Sequence, residues 1–542
     1  GDGGRRGWAV TPVACMLLCC LASMLCKEHG VTLPLACAVF DAFLLTATSV
    51  PELIGWLRAG VFSRAGPSAT EPSAQERRRH AACGQFAVRI MLSIVGMVGL
   101  LVWRLRMNGG NPPDFACEQN PAACHGSRWV RFLSYAFLWC FNAWLLIFPN
   151  ALSPDWSGPS IPLVESIADH RIPAICLLVV ALALLLLHTL AAAWAPAPPP
   201  NPVYPLPASR RHILTAAYFT LIAFILSSNL FTYVGFVVAD RTLYLPSFGF
   251  CLLLSLLLAW LAAWTSPRPN AGAEEESNVG PAGSQEAGRS PRALSYLVLA
   301  LGVGVTSMYL PKQQAQSHRW SDPVLLWGEA YRVNPNSCIN GNEYGMSLCN
   351  AGRPRDAFPV LWESHRRELA HGYFSDSIRQ RQEGSEARWS RLTTIMQTRF
   401  KLVTALGNAG ECAKANPLIE EGLEVIEAEL KQALSHEQGG AGQGERSPSR
   451  SLQDCKAYLL VARARCAPDL GIMQHYAAEA YRTRPQMPYV INVAQEIMQL
   501  VHGAAQQTGL PPEHIGVQRE AGPGKQTAEL SYFVLPRQQH QR

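Results

Sequence analysis

Apolar stretches dominate the first 310 residues of the chain, and a polar sequence of mixed charge follows them. Most of the stretches approach the roughly 20 apolar residues that a helix needs to cross a bilayer. They lie at Trp8–Leu25, Val31–Leu57, Phe86–Trp103, Val130–Phe148, Pro173–Trp194, His212–Val234, Leu245–Trp264 and Ala293–Leu310. Asp41 and Pro51 interrupt the second of them. The pattern predicts a polytopic helical membrane domain over residues 1–310.

A helical repeat marks the polar sequence that follows. EAYRVNP at Glu329–Pro335 recurs as AEAYRTRP at Ala478–Pro485, with the same spacing from Ala to Pro. The turn AGRP precedes Ala357 in the same way that the turn in LGNAGECAKANP precedes Ala415. Small residues where paired helices touch, at a period of roughly 34 residues, are typical of tetratricopeptide repeats. We predict a soluble α-solenoid of degenerate repeats over residues 311–505, with a generic helical domain as the alternative.

Two segments of this region lack a periodic apolar pattern. Ser435–Ser451 (SHEQGGAGQGERSPSRS) is rich in Gly, Ser and charge, and we expect it to be a disordered insert. We also expect a disordered tail over residues 506–542. The predicted fold class is therefore all-α from end to end.

Composition and charge place the chain in a membrane. Of its 542 residues 49% are hydrophobic and 16% are charged, against roughly 25% charged in a soluble protein. The net charge of +6 comes from loop arginines, and no interleaving of basic and aromatic residues indicates a nucleic-acid partner.

Basic loops predict the orientation of the membrane domain. All of the arginine-rich loops fall on the cytosolic side if Val130–Phe148 is re-entrant or lies in the interface. Lys27–Gly30, Met107–Ile172, Val237–Gly249 and the C-terminal domain then share the lumenal or exterior side. Eight full crossings are the open alternative.

The cysteines indicate a lumenal loop and no metal site. Cys117 and Cys124 are close in sequence and form a candidate disulfide in an oxidising lumen, with two free thiols as the alternative. No cysteine has the spacing to His that a zinc site needs.

VVADRTLYLPSFG at Val237–Gly249 carries the most informative polar residues. An Asp-Arg pair between two apolar spans is costly unless it meets water, a partner or a charged ligand. The guanidinium of Arg241 suits a phosphate, and Tyr244 follows one helical turn later. The alternative is an Arg and a Tyr that only anchor two helices at the membrane interface.

Four sequence blocks resemble the transmembrane and tetratricopeptide-repeat (TMTC) family of O-mannosyltransferases, within the GT-C glycosyltransferases. The longest is similar to the family's GFVVAER-x-LY-(V/L)-PS-x-GF block, with Asp240 where the family usually has Glu. Another is similar to its DWS-x-x-x-IPLI block. The four blocks are Cys26–Phe43, Trp103–Ala123, Ser153–Arg171 and Ser228–Phe250.

The resemblance implies an enzyme of the endoplasmic reticulum membrane. Such enzymes transfer mannose from dolichyl phosphate mannose to Ser or Thr hydroxyls of lumenal proteins, with inversion at the anomeric carbon. No cofactor beyond this lipid-linked donor is implied. The lumenal repeats would bind the acceptor or a partner.

The chemistry requires cations at the phosphate, a base for the hydroxyl and a groove for the lipid. We expect Arg241 and Tyr244 to bind the donor phosphate, Asp240 to orient Arg241, and Lys27 to act as a second cation beside Glu28. Asp155, Trp156 and Glu165 are expected to shape the donor or acceptor pocket.

The general base expected from the resemblance is an Asp in the first lumenal loop, and no segment matches that loop. The chain begins with GDGGRRG rather than Met, so we expect a GT-C domain that is N-terminally truncated. Two other functions stay open: a non-enzymatic scaffold that acts through its repeats, and a lipid-phosphate flippase.

Overall fold

The computed structural model describes residues 3–46, 49–62, 74–107, 119–195, 210–230, 233–265, 291–371, 385–438, 447–520 and 529–534. The first half of the described chain is mainly helical. Its helices are α1 (Gly3–Cys26), α2 (Leu33–Phe40), α3 (Val50–Phe62), α4 (Ala74–Met107), α5 (Pro121–Cys124), α6 (Arg128–Ile147), α7 (Ile172–Trp194), α8 (Arg210–Phe224), α9 (Tyr244–Thr265) and α10 (Pro291–Trp320).

Five segments of the described residues are long and apolar enough to cross a membrane. They are Glu28–Leu45, Arg77–Met107, Arg128–Ile147, Ile172–Trp194 and Asp240–Ala259. The shorter apolar helix Thr11–Cys26 precedes them. The prediction of a multi-pass, all-helical membrane domain is confirmed.

Asp41, which interrupts the second apolar stretch of the sequence, forms an ion pair with α4. Arg89 donates from Nε to Asp41 Oδ2 at 2.6 Å and from Nη2 to Oδ1 at 2.9 Å. The backbone widens into a π-turn over Asp41–Leu45 before α3 begins. A charge this deep is tolerated because it is paired and hydrogen-bonded.

The hairpin of α8 and α9 depends on one small residue of the LPSFGF sequence. A Cβ built on Gly249 would lie 2.4 Å from the backbone nitrogen of Thr220. The two helices therefore approach so closely that only glycine fits, as at many helix–helix contacts in membranes.

Helix α6 contacts the α8–α9 connection along its length. Tyr135 donates to Asn120, whose amide binds the carbonyl of Val234 at 3.0 Å, and Trp139 Nε1 donates to Ser228 O at 2.7 Å. By length and composition α6 is also apolar enough to cross a membrane. The number of full crossings stays a prediction.

The second half is a packed run of helix pairs, which confirms the predicted repeat region. Its helices are α11 (Pro323–Val333), α12 (Cys338–Asn350), α13 (Pro354–His371), α14 (Ser385–Asn408), α15 (Cys412–Gln438), α16 (Pro448–Arg465), α17 (Leu470–Thr483) and α18 (Pro488–Thr508).

The two turns matched in sequence have the same geometry. Gly352 and Gly410 both adopt positive φ, at 74° and 81°, a conformation that glycine adopts without strain. Arg353 N donates to Leu348 O and Glu411 N to Leu406 O, both at 2.8 Å. The helices that follow bury Ala357 and Ala415 completely.

The recurring EAYR sequences are also equivalent. Ala330 and Ala480 are both buried. Each carbonyl accepts a hydrogen bond from the residue four positions on, Asn334 N at 2.9 Å and Arg484 N at 3.0 Å. A small residue at these positions lets the paired helices approach.

The boundaries differ from expectation in three places. The expected boundary between residues 310 and 311 falls inside the continuous helix α10. Ser435–Gln438 end α15, and Pro448–Ser451 begin α16 behind the capping Ser447; the rest of the expected insert lies outside the described residues.

The expected disordered tail instead contains a strand pair, β1 (Ile515–Glu520) and β2 (Glu529–Val534), which are antiparallel. Ile515 and Val517 are buried against the last helices, and Val517 N donates to Pro468 O at 2.8 Å. Apolar residues at alternate positions anchor the strand. In so short a segment this alternation is a weak sequence signal for a β-strand.

A disulfide joins Cys412, at the start of α15, to Cys466, just after α16. Their Cα atoms are 5.2 Å apart, within the range for an unstrained bridge. The bridge closes a loop over a sequence separation of 54 residues and fastens two neighbouring helices of the repeat domain.

Replacing Cys412 by Ser should destabilise the repeat domain by about 2–4 kcal/mol, because the unfolded chain regains the freedom that the bridge removes. We expect the helical melting transition of the purified chain to fall by about 5–10 °C, as followed by circular dichroism. Reductant should lower the transition of the unaltered protein by a similar amount and leave the variant unchanged. Equal sensitivity of both proteins would show that no such bridge forms.

Candidate functional site

Two segments that connect helices meet at the end of the membrane domain that faces the repeats, and the second of them runs into a 3₁₀ turn at Asp240–Leu243. We call them the SPDWS segment (Ser153–Ser157) and the VVADR segment (Val237–Arg241). Trp156 N donates to Val238 O at 2.9 Å, and Asp240 N donates to Ser153 O at 3.2 Å. These two hydrogen bonds satisfy buried backbone groups that no helix or sheet serves, so each segment fixes the other.

Arg241 extends from this pairing toward solvent. Its Nη1 donates to Pro154 O at 2.5 Å, and its guanidinium lies 5.6 Å from the centre of the Phe236 ring. The side chain as a whole is exposed. One edge of the guanidinium is therefore fixed by the SPDWS segment, while the rest is accessible to an anion.

Asp240 faces a different element from Arg241. Its Oδ2 accepts a hydrogen bond from Gln316 Nε2 of α10 at 3.0 Å. The carboxylate is thus held by α10, and Arg241 is held by a backbone carbonyl. The predicted orienting role of Asp240 acts at most through charge across the adjacent residue.

Asp155 and Trp156 are buried where the SPDWS and VVADR segments meet. Asp155 Oδ1 accepts from Ser157 N at 2.6 Å, and the Trp156 ring packs edge-to-face on Phe141, with centres 5.0 Å apart. Burial is the main reason that the pKa of Asp155 is raised, while the nearby Arg241 guanidinium opposes the shift. Both residues are buried beside the carbonyl that holds Arg241, and their role in a pocket stays a prediction.

Lys27 and Glu28 lie at the end of α1. Glu28 forms an ion pair with Arg104 of α4 at 2.6 Å, and Lys27 is exposed. The same turn reaches the α8–α9 connection through His29, whose Nε2 lies 3.1 Å from Ser227 Oγ. In the sequence, only the position of Arg104 directly after an apolar stretch indicates that it lies at the end of a membrane helix.

Tyr244 and Glu165 are not brought into contact with Arg241. Tyr244 is 79% exposed at the first position of α9, and Glu165 is exposed on the loop before α7. Cys117 lies outside the described residues, as does the side chain of Cys124, so their pairing stays a prediction.

The repeat domain closes the site from the other side. Asn340 of α12 donates from Nδ2 to Ser153 Oγ at 3.2 Å. Val333 of α11 packs on the apolar cluster that includes Trp156 and Val238. Sequence reasoning missed Gln316 and Asn340, because neither stands in a motif and each acts across a long sequence separation.

Among the described residues, no group of three or more His, Cys, Asp or Glu side chains is placed to hold a metal ion. The chemistry that the arrangement offers is electrostatic: a fixed, accessible guanidinium beside a buried carboxyl group. A guanidinium held in this way is chemically suited to an anion.

Fold and site together define a multi-span membrane protein whose cationic loop site is covered by a helical-repeat domain. The family described as "Protein O-mannosyl-transferase TMTC, DUF1736" matches residues 109–183, a range that contains the SPDWS segment. No solved structure matches the chain.

Curated relatives agree with this match. The mouse (Mus musculus) protein O-mannosyl-transferase TMTC1 is 41% identical over 33% of this chain and 18% of its own length. The human (Homo sapiens) TMTC4 is 34% identical over 45% of this chain and 30% of its own length. The Drosophila melanogaster Tmtc3 is 29% identical over 66% of this chain and 35% of its own length.

Over these residues the chain is similar to the TMTC family of protein O-mannosyl-transferases, the family that its sequence blocks resemble. It spans about a fifth to a third of the length of these relatives.

Asp155 makes the stability of the site depend on pH. Because burial raises the pKa of Asp155 in the folded protein, its ionisation costs stability at neutral pH, and this cost disappears as the pH falls through that pKa. Asp155→Asn keeps an oxygen for Ser157 N and removes the charge. We expect a variant that melts a few degrees higher than the unaltered protein at neutral pH.

The difference in melting temperature should close as the pH is lowered, which thermal unfolding at a series of pH values measures. A variant that is less stable than the unaltered protein at neutral pH would contradict the assigned cause, because it would show that the ionised carboxylate stabilises the folded state. Asp356→Asn, at an exposed repeat position beside Arg353, is the matched control.

Proposed function

We propose that this chain is part of a protein O-mannosyltransferase that moves mannose from dolichyl phosphate mannose to Ser or Thr of secretory proteins. The observation that carries the proposal is the fixed, accessible guanidinium of Arg241 in a chain of this family. The names of the relatives state the transferase activity for those proteins; the lipid-linked donor is what the resemblance of the sequence blocks implies.

Arg241 is proposed to bind the phosphate of the donor. A guanidinium binds phosphate through two parallel hydrogen bonds, and charge-assisted bonds of this kind are about twice as strong as neutral ones. Phosphate is also the leaving group, so a cation that is already fixed by Pro154 O stabilises the charge that develops as the glycosidic bond breaks.

The lipid of the donor is proposed to lie along α9. Tyr244, Leu245 and Phe248 form an exposed, largely apolar face of this helix, and they follow Arg241 within two turns. A phosphate at Arg241 would therefore have its polyprenyl chain directed onto a membrane-facing surface. Lys27, exposed at the end of α1, is a second candidate cation for the same phosphate.

The acceptor hydroxyl requires a general base. Asp155 is buried and accepts from Ser157 N, which suits a residue that shapes the pocket rather than one that reaches a substrate.

We further propose that the protein resides in the endoplasmic reticulum membrane with its repeat domain in the lumen. The Cys412–Cys466 bridge supports this placement, because disulfides persist in oxidising compartments and are rare in the cytosol. Since α12 contacts the SPDWS segment, the donor site would lie on the same side as the repeats.

Arg241→Ala should weaken the binding of dolichyl phosphate mannose to the chain in nanodiscs by roughly 10- to 100-fold, the range for a lost charge-assisted bond. Arg241→Lys should recover part of the affinity, because it restores the charge without the planar fork. A direct binding titration measures this and does not depend on the presence of a general base.

Arg353→Ala is the matched control, since Arg353 is exposed in the repeat domain and paired with Asp356. Equal binding by the Arg241→Ala variant and the unaltered chain would remove Arg241 from the site. Absence of donor binding by the unaltered chain, together with retained partner binding through the repeats, would favour the scaffold function instead.

A further inference from the structure

One buried side chain of the repeat domain holds both segments of the candidate donor site. Asn340, in the first turn of α12, is completely buried. Its Nδ2 donates to Ala330 O and Ser153 Oγ, both at 3.2 Å, and lies 3.5 Å from Asn334 O. The two carbonyl oxygens only accept hydrogen bonds, so the amide group must point its NH₂ toward Ser153.

Ser153 forms hydrogen bonds with both segments. It is also completely buried. Its hydroxyl, which accepts from Asn340, donates to Asp155 O at 2.9 Å. Its backbone oxygen accepts from Asp240 N at 3.2 Å. Ser153 thus connects α12 to Asp155 in its own segment and to Asp240 in the VVADR segment. Both contacts lie next to Pro154 O, which holds Arg241.

Asn340 differs from the other buried asparagine of α12 in the element that its amide reaches. The Oδ1 atoms of Asn340 and Asn342 are both buried without a hydrogen-bond partner among the residues that the structure describes, a cost that the two share. The amide of Asn342 binds Thr398 Oγ1 at 2.7 Å within the repeat domain. The amide of Asn340 instead reaches Ser153 Oγ of the membrane domain.

We infer that Asn340 is a positioning residue of the donor site: through Ser153 it fixes the SPDWS and VVADR segments, so that the repeat domain sets the geometry of Arg241. The consequence for donor affinity rests on the proposed function, whereas the positioning itself does not. A partner that moves α12 would then change the affinity for donor at the membrane.

The first test follows amide hydrogen exchange in the intact chain. Asn340→Ala should raise the exchange rates of the Trp156 and Asp240 amides, which are held by the pairing of the two segments. Asn342→Ala removes a buried asparagine from the same helix and should leave both amides protected. Unchanged protection in Asn340→Ala would overturn the inference.

The second test measures the affinity for dolichyl phosphate mannose in nanodiscs. Asn340→Ala should weaken binding roughly 3- to 10-fold, as expected for one hydrogen bond, and Asn342→Ala should not. Ser153→Ala removes the same contact from the membrane side without altering α12. The double variant Asn340→Ala, Ser153→Ala should be no weaker than the more affected single variant, because both interrupt one connection.

The two tests separate the inference from the proposed function. If the amides lose protection but the unaltered chain binds no donor, the positioning stands and the proposed function fails. If the unaltered chain binds donor and the effects of Asn340→Ala and Ser153→Ala multiply in the double variant, the positioning role fails. Should Asn340→Ala not fold, Ser153→Ala carries both measurements alone.

Discussion

The pairing of the SPDWS and VVADR segments is the interaction on which the site depends. The SPDWS segment and Val237–Ala239 are not helical, and both segments lie at the end of the membrane domain. Backbone polar groups in such a place must be satisfied by protein. The bonds from Trp156 N to Val238 O and from Asp240 N to Ser153 O do so, and they also set the direction in which Arg241 leaves the chain.

Helix α10 links the paired segments to the repeat domain. It runs without a break from the last apolar stretch to the first repeat. Along this path it contacts the segment after α6 through Tyr309 and Lys312, and it holds Asp240 through Gln316. The repeats therefore cannot reorient freely about a flexible linker at this point. Their first hairpin forms one wall of the site.

The sequence predicts most of this architecture because its strongest signals are local. Apolar runs indicate the spans, and the repeated spacing of small residues indicates the helix pairs, down to the matching turns at Gly352 and Gly410. The blocks around Asp155 and Arg241 are adjacent in the site although they are distant in the sequence. Val238–Arg241 follows Ser153–Trp156 with an offset of 85 positions (238 − 153). Their shared family resemblance gave the expectation that they belong to one site.

Other features could not be predicted, because they depend on contacts between distant elements. Glu28 pairs with Arg104 and not with its neighbour Lys27, which only the packing of α1 on α4 decides. Cys412 and Cys466 have no motif spacing and meet because two helix ends converge. Tyr244 follows Arg241 by one turn in sequence, yet the start of α9 turns it outward.

Unsatisfied polar atoms do not by themselves single out the site. Within the described part of the chain, Trp156 Nε1, Ser157 Oγ and Asn340 Oδ1 are buried without a hydrogen-bond partner near the pairing, and so are Asn142 Oδ1 and both ring nitrogens of His365 away from it. What distinguishes the pairing is that its backbone hydrogen bonds and the contact from Asn340 to Ser153 converge beside the carbonyl that holds Arg241. The membrane domain and the repeat domain thus fix one accessible guanidinium together.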